Sequence, residues 1–118
     1  MTPHEAALTI MTGVTADGPT VFVRGEVDLA SAPQLREATL DALSRGSKDL
    51  RLDLAGVTFM DVSGLQVLLS AQRRASLTGG RLVLTRTPPI VERLLELTGA
   101  RTILHGVDIS RDEAPAPG

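Results

Sequence analysis

The stretch Val57-Thr58-Phe59-Met60-Asp61-Val62-Ser63-Gly64-Leu65 gathers the residue types that local chemistry can use. A carboxylate, a hydroxyl and a glycine follow an apolar approach, and an apolar run, Val67-Leu68-Leu69, comes after them. A helix beginning at Val62 or Ser63 would expose N–H groups with no intrahelical partner and a partial positive charge at its start. Asp61 and Ser63 are the types that satisfy such groups, and Ser63 with Gln66 has the spacing of a capping box. Two roles are open for this segment. It is a capped helix start, each cap stabilising by about 1 kcal/mol, or it is a recognition surface built on that start. Gly64 speaks for the second, because a glycine inside the first turn costs up to about 1 kcal/mol relative to alanine. Its missing side chain lets another backbone come close.

Other chemistries lack their residues. The chain has no cysteine, which removes disulfides, thiol catalysis and cysteine-ligated metals. His4 and His105 lie far apart without an acidic cluster, so no metal spacing arises. Neither phosphate-cradling glycine loop occurs, nor a G-x-S-x-G elbow, so no cofactor is expected. Asp53, Asp61, Glu92 and Glu96 are scattered carboxylates on a charged chain. Asp61 as an aspartyl-phosphate nucleophile is the enzymatic competitor, but such sites gather more carboxylates, a magnesium ion and a nearby Lys or Thr. Lys48 is the one lysine, and no motif places it. Catalysis is therefore not expected.

Composition narrows the partners. Twelve Lys and Arg against fourteen Asp and Glu leave a net charge of −2, unlike a chain that neutralises nucleic-acid phosphates. Phe22 and Phe59 are the only aromatics, too few for a base-stacking platform. No apolar run nears the ~20 residues of a membrane span, and no basic-then-apolar leader opens the chain. One cytoplasmic domain is expected in 118 residues.

The elements that position Asp61 follow from periodicity. Ala7–Thr12 and Thr20–Arg24 read as a β-hairpin about Asp17-Gly18-Pro19. Ser31 and Gln34 are spaced as a capping box for a helix with Ala32, Leu35, Ala38, Thr39, Ala42 and Leu43 on one stripe, ended by Gly46. Asp49–Leu54 alternates as a strand with one buried face, and Ala55–Asp61 reads as a loop into the second helix. That helix runs to about Thr78 before Gly79-Gly80, and Leu82–Leu84 reads as a strand covered on both faces. Thr87-Pro88-Pro89 opens a third helix with Ile90, Val91, Leu94, Leu95 and Leu97 inward, closed by Gly99, and Arg101–His105 reads as a last strand. The order β-β-α-β-α-β-α-β predicts an α/β fold: a small mixed sheet with an antiparallel opening hairpin, then parallel β-α-β units, helices packed on it. Residues 1–107 form the expected domain and 108–118 a mobile polar tail.

Four motifs now stand in order: G-E-V-D at Gly25–Asp28, F-M-D-x-S-G-L at Phe59–Leu65, G-G-R-L-V-L at Gly79–Leu84, and P-P-I-V-E-R-L-L-E-L-T-G at Pro88–Gly99. Together they resemble the STAS domain, and more narrowly the bacterial anti-sigma-factor antagonists, over about Leu8 to His105. The resemblance implies binding to an anti-sigma factor, usually a serine kinase of the histidine-kinase-like ATPase class, which frees a sigma factor for RNA polymerase. It places Glu26 and Asp28 beside the Asp61 helix start, so Glu26, Asp28, Asp61, Val62, Ser63, Gly64 and Leu65 form the implied partner surface. In the family the kinase phosphorylates the residue directly after the Asp of D-S-S-G or D-S-T-G, adding about −1.5 to −2 charge at a contact surface.

Here that position is Val62, which has no hydroxyl, while Ser63 matches the family's second hydroxyl. Three readings follow. The protein is an antagonist held in its binding-competent form, or Ser63 has become the acceptor, or the fold serves a transporter-associated or stress-signalling complex. Arg73 and Arg74 read as the solvated face of the second helix. The identity of the partners, the upstream signal and the oligomeric state, monomer or weak dimer, do not follow from the sequence.

Overall fold

In the computed structural model the described residues are 7–46 and 48–104. Strand β1 (Thr9–Thr15) and strand β2 (Gly18–Val27) form the opening hairpin, paired antiparallel from Thr9↔Arg24 to Thr15↔Gly18. Its turn is Ala16-Asp17, where the Thr15 hydroxyl accepts from the Asp17 amide at 3.1 Å and Gly18 takes a φ of 116°. β1 begins two residues later than the sequence pattern predicts and ends three later, and β2 extends further at both ends. β2 absorbs Gly25-Glu26-Val27, so the G-E-V-D motif is a strand end with Asp28 just beyond it.

Helix α1 (Ala32–Ser44) leads to strand β3 (Leu50–Met60), helix α2 (Val62–Leu77), strand β4 (Leu82–Thr85), helix α3 (Pro89–Thr98) and the single turn α4 (Ala100–Ile103). The sheet order is β1-β2-β3-β4, with β2, β3 and β4 parallel. Leu35 of α1, Leu68 of α2 and Leu95 of α3 join Val23, Leu52 and Leu84 of the sheet in one apolar cluster. The expected α/β architecture is the one observed.

The expected loop Ala55–Asp61 is instead the second half of β3. Leu54 and Ala55 oppose Val23 alone, and Thr58 is a second extra residue, between Val57 opposite Gly25 and Phe59 opposite Glu26. Each extra residue is a β-bulge, which turns the following side chains over to the other face. Inward residues therefore fall at Leu50, Leu52, Leu54, Val57 and Met60, all buried, and strict alternation is lost. The Asp53 carboxylate stabilises the first bulge by accepting the Ala55 amide at 2.9 Å and pairs with Arg86 at 3.3 Å. Gly56 is required there, since a Cβ would sit 2.6 Å from Arg24 Cβ.

Three further expectations are corrected. The Ser31–Gln34 capping box does not form, because Ser31 is already in the right-handed helical region and its side chain makes no cap bond. The expected last strand, Arg101–His105, is the α4 turn as far as Ile103, with Leu104 N–H bonded to the Ala100 carbonyl. Leu97, placed on the inward stripe of α3, is 77% exposed. His4, His105 and the tail from Asp108 lie outside the described residues.

Candidate functional site

β2 and β3 end side by side, Val27 paired with Met60, and both side chains are buried. The Asp61 amide donates to the Val27 carbonyl at 3.2 Å, tying the chain to β2 at the point where it leaves the sheet. Because β2 and β3 are parallel and each is followed by a helix, α1 and α2 both begin at this end. Asp61 is the N-cap of α2, with extended backbone, and its Oδ1 accepts from the Ser63 amide at 2.8 Å. Its carbonyl accepts from the Gly64 and Leu65 amides. Ser63 is thus inside the helix, the Ser63–Gln66 box does not form, and the Ser63 hydroxyl has no hydrogen-bond partner among the described residues.

Gly64 has a steric reason. A Cβ there would lie 2.7 Å from both Met60 Cγ and Val27 Cγ1, so the first turn of α2 rests directly on the ends of both strands. Leu65 is buried in the core. Gly64 and Leu65 consequently shape the surface from beneath.

The β2–α1 connection is a knot of short polar contacts. Ser31 N–H donates to Asp28 Oδ1 at 3.0 Å, and the Asp28 amide donates to Ser31 Oγ at 3.0 Å. The Ser31 hydroxyl proton lies between the Glu26 carbonyl at 2.8 Å and Asp28 Oδ1 at 3.1 Å. The Asp28 carboxylate therefore closes the turn ahead of α1, and its backbone carbonyl accepts from the first helical amide, Ala32, at 2.7 Å. The Ser31 amide bond is the main cause that holds the Asp28 carboxyl below its ordinary value. Gln34, freed from the box, donates to the Leu8 carbonyl at 3.3 Å. Glu26, Asp28, Ala30 and Ser31 line one side of a hollow of about 240 Å³ here.

On this scaffold stand three exposed apolar side chains. Leu29, inside the Asp28–Ser31 turn, is 78% exposed, Val62 is 52% exposed and Phe59 is 40% exposed. Glu26, cross-strand partner of Phe59 on the face away from the core, is half-buried, as are Asp28, Asp61 and Ser63. The structure so brings Glu26, Asp28, Asp61, Val62 and Ser63 to one end of the sheet: apolar knobs among carboxylates. Sequence reasoning missed Leu29. Its signal was an apolar residue in a polar turn, outside every periodic stripe.

Among the described residues no three His, Cys, Asp or Glu gather as a metal site, and no helix is long and apolar enough to cross a membrane. Lys48 precedes β3 and Asp61 follows it, so the eleven-residue strand separates lysine from carboxylate. Arg73 and Arg74 are exposed on α2.

Residues 10–105 match the family model described as "Mlab, STAS domain". The chain is 37% identical over 90 residues to the anti-sigma-B factor antagonist of Bacillus subtilis, covering 76% of this chain and 79% of that protein. It is 28% identical over 85 residues to the anti-sigma-B factor antagonist of Staphylococcus epidermidis, covering 72% and 79%. The crystal structure of an anti-sigma factor antagonist from Mycobacterium paratuberculosis superposes with a TM-score of 0.76, covering 90% of this chain and 87% of that one. At 23% identity that likeness speaks for the fold.

Proposed function

The chain belongs to the STAS-domain family of anti-sigma-factor antagonists, and on that premise we propose that it binds an anti-sigma factor through the sheet end carrying Val62, releasing the sigma factor for transcription. The observation that supports this is the exposure of Val62 at the start of α2, at the same end as Leu29 and Phe59. Protein interfaces concentrate their binding energy in a few desolvated anchors ringed by polar groups. Here Leu29, Val62 and Phe59 are the anchors, and Glu26, Asp28, Asp61 and Ser63 the polar ring. Gly64 and Leu65 hold α2 close enough to the sheet for Val62 to stand out. The role is regulatory rather than catalytic.

The partner is an anti-sigma factor of the serine-kinase, histidine-kinase-like ATPase type. Val62 occupies the position that the kinase modifies in the family and offers no hydroxyl, so the antagonist stays binding-competent. A phosphate there would add about −1.5 to −2 charge beside Asp61 and desolvate poorly against an apolar contact. Control then passes to the amount of protein or to a competing antagonist.

The test is to titrate the protein against each kinase-type anti-sigma factor of its own genome, first with ADP and then after prolonged ATP, recording intact mass in parallel. Binding that survives ATP with no added phosphate is the expected result. Binding lost as one phosphate appears moves the acceptor to another hydroxyl, Ser63 first. Failure to bind any of them overturns the sigma-regulator reading and turns the search to transporter-associated or stress-signalling complexes.

A further inference from the structure

The sheet ends on β1, and no other strand among the described residues takes up its outward edge. An edge strand presents alternating free N–H and C=O groups, and proteins commonly blunt such an edge with lysine, proline or a bulge. β1 has none of these. Its seven residues, Thr-Ile-Met-Thr-Gly-Val-Thr, carry no charge, and its pairing with β2 runs without a register shift. Met11 is 61% and Val14 83% exposed on it.

We propose that the β1 edge is the interface of a homodimer, in which two copies pair β1 antiparallel about a two-fold axis through Thr12. The strand is self-complementary in that register. Ile10, packed at the rim of the core, marks the helix side of β1, and Thr12 and Val14 share that side by alternation. With the axis at Thr12, Ile10 stands opposite Val14 of the second copy, two apolar pairs flanking a Thr–Thr pair. On the other side Met11 stands opposite Gly13 of the second copy. A Cβ on Gly13 would lie 3.3 Å from Phe22 Cε2, so the Phe22 ring edge overhangs that glycine. The Met11 thioether meets an aromatic edge there, a favourable contact. Moving the axis to Met11 sets Val14 opposite Leu8, which lies outside the strand and is buried, and moving it to Gly13 sets Ile10 opposite Ala16 of the turn.

The surroundings fit a second copy of this chain. Thr12 and Val14 form one wall of a groove of about 530 Å³, and Asp41, Ala42 and Arg45 at the end of α1 form the other. Ile10 of the second copy, beside Val14, lengthens the apolar wall of that groove. A strand with no charge meets its own image without like-charge repulsion, which a charged edge would suffer. The Val62 end stays open, since Glu26 and Asp28 lie beyond Arg24, the partner of the first β1 residue. The two-fold axis then points the two partner surfaces to opposite ends of a continuous eight-stranded sheet. This inference does not depend on what binds at Val62.

The chain has no cysteine, so a single one reports position cleanly. In Thr12→Cys the two sulfurs face each other across the axis, where opposed Cα atoms lie about 4.5–5.5 Å apart, within disulfide range. In Thr9→Cys they are about 20 Å apart along the strands. Under mild oxidation Thr12→Cys is expected to cross-link at least tenfold more than Thr9→Cys. Wild-type mass by light scattering is expected to rise toward the dimer with concentration, and Thr12→Lys to return it to the monomer, with a melting temperature equal to that of the wild type at dilutions where the wild type is itself monomeric. Equal cross-linking of the two cysteine variants, or a wild-type chain that stays monomeric across the accessible concentration range, overturns the proposal.

Discussion

Gly64 rests on Val27 so closely that a Cβ at Gly64 would fall 2.7 Å from Val27 Cγ1. The first turn of α2 is thereby pressed onto the ends of β2 and β3, and the Asp61–Val27 backbone bond fixes the same corner from the other side. Position, exposure and orientation of Val62 all follow from that corner. The surface is made by packing beneath it.

Gly64→Ala therefore has a defined consequence. The methyl group meets two buried side chains, Val27 and Met60, and overpacking of this kind costs about 1–3 kcal/mol. The denaturation midpoint in urea is expected to fall accordingly, with α2 tilted away from the sheet and anti-sigma binding weakened with it. A midpoint equal to wild type would show that the corner is looser than the geometry states.

Asp28 links the β2–α1 turn to pH. Its folded carboxyl titrates below the ordinary value of 3.8, chiefly through the Ser31 amide bond. A depressed carboxyl contributes stability that is present above its unfolded value and lost as pH falls through the folded one. The stability difference between wild type and Asp28→Asn is thus expected to be constant from neutrality to about pH 5 and to shrink below it. A difference that is independent of pH down into the acid range would remove the carboxylate from the turn's energetics.

Much of this was legible in the sequence, and the failures have physical causes. Helix α2 declares itself by its apolar run between Asp61 and Gly79-Gly80, strand β4 by three consecutive apolar residues, Leu82–Leu84, and Asp61 by its place before an apolar helical run. The second half of β3 did not, because two bulges space Leu54, Val57 and Met60 by three residues and erase alternation. The β-branched Thr102 and Ile103 imitate a strand, yet Leu104 bonds back to Ala100 and closes a helical turn. Ser31 has the spacing of a cap, but its hydroxyl is taken up in the turn by the Asp28 amide and the Glu26 carbonyl. Leu29 was invisible for a different reason: its exposure is set by the Asp28–Ser31 knot, a contact between side chain and backbone that no hydrophobic pattern encodes.

Leu29 separates contact from stability. It is 78% exposed, so Leu29→Ser removes little from the core, and surface changes of this kind stay within about 0.5 kcal/mol. As an anchor in a desolvated contact, truncation is expected to weaken anti-sigma binding by about 2 kcal/mol, or roughly thirtyfold, with an unchanged urea midpoint. Calorimetric titration of the two proteins side by side checks both halves. Unchanged affinity would move the anchor role to Val62 and Phe59.

Val62→Ser tests the switch directly. Val62 is 52% exposed at the first helical position, so serine fits without strain and without a large loss of stability. The variant offers a hydroxyl directly after Asp61, at the position that the family's kinase modifies. With the cognate kinase and ATP it is expected to gain one phosphate and lose binding, while wild type under the same conditions keeps both its mass and its affinity. Val62→Asp is expected to bind weakly without any kinase, because a charge placed among Leu29 and Phe59 must be desolvated on docking. If Val62→Ser gains no phosphate, or gains it and still binds, the charge at this position is not what governs release, and control of the complex lies elsewhere on the surface.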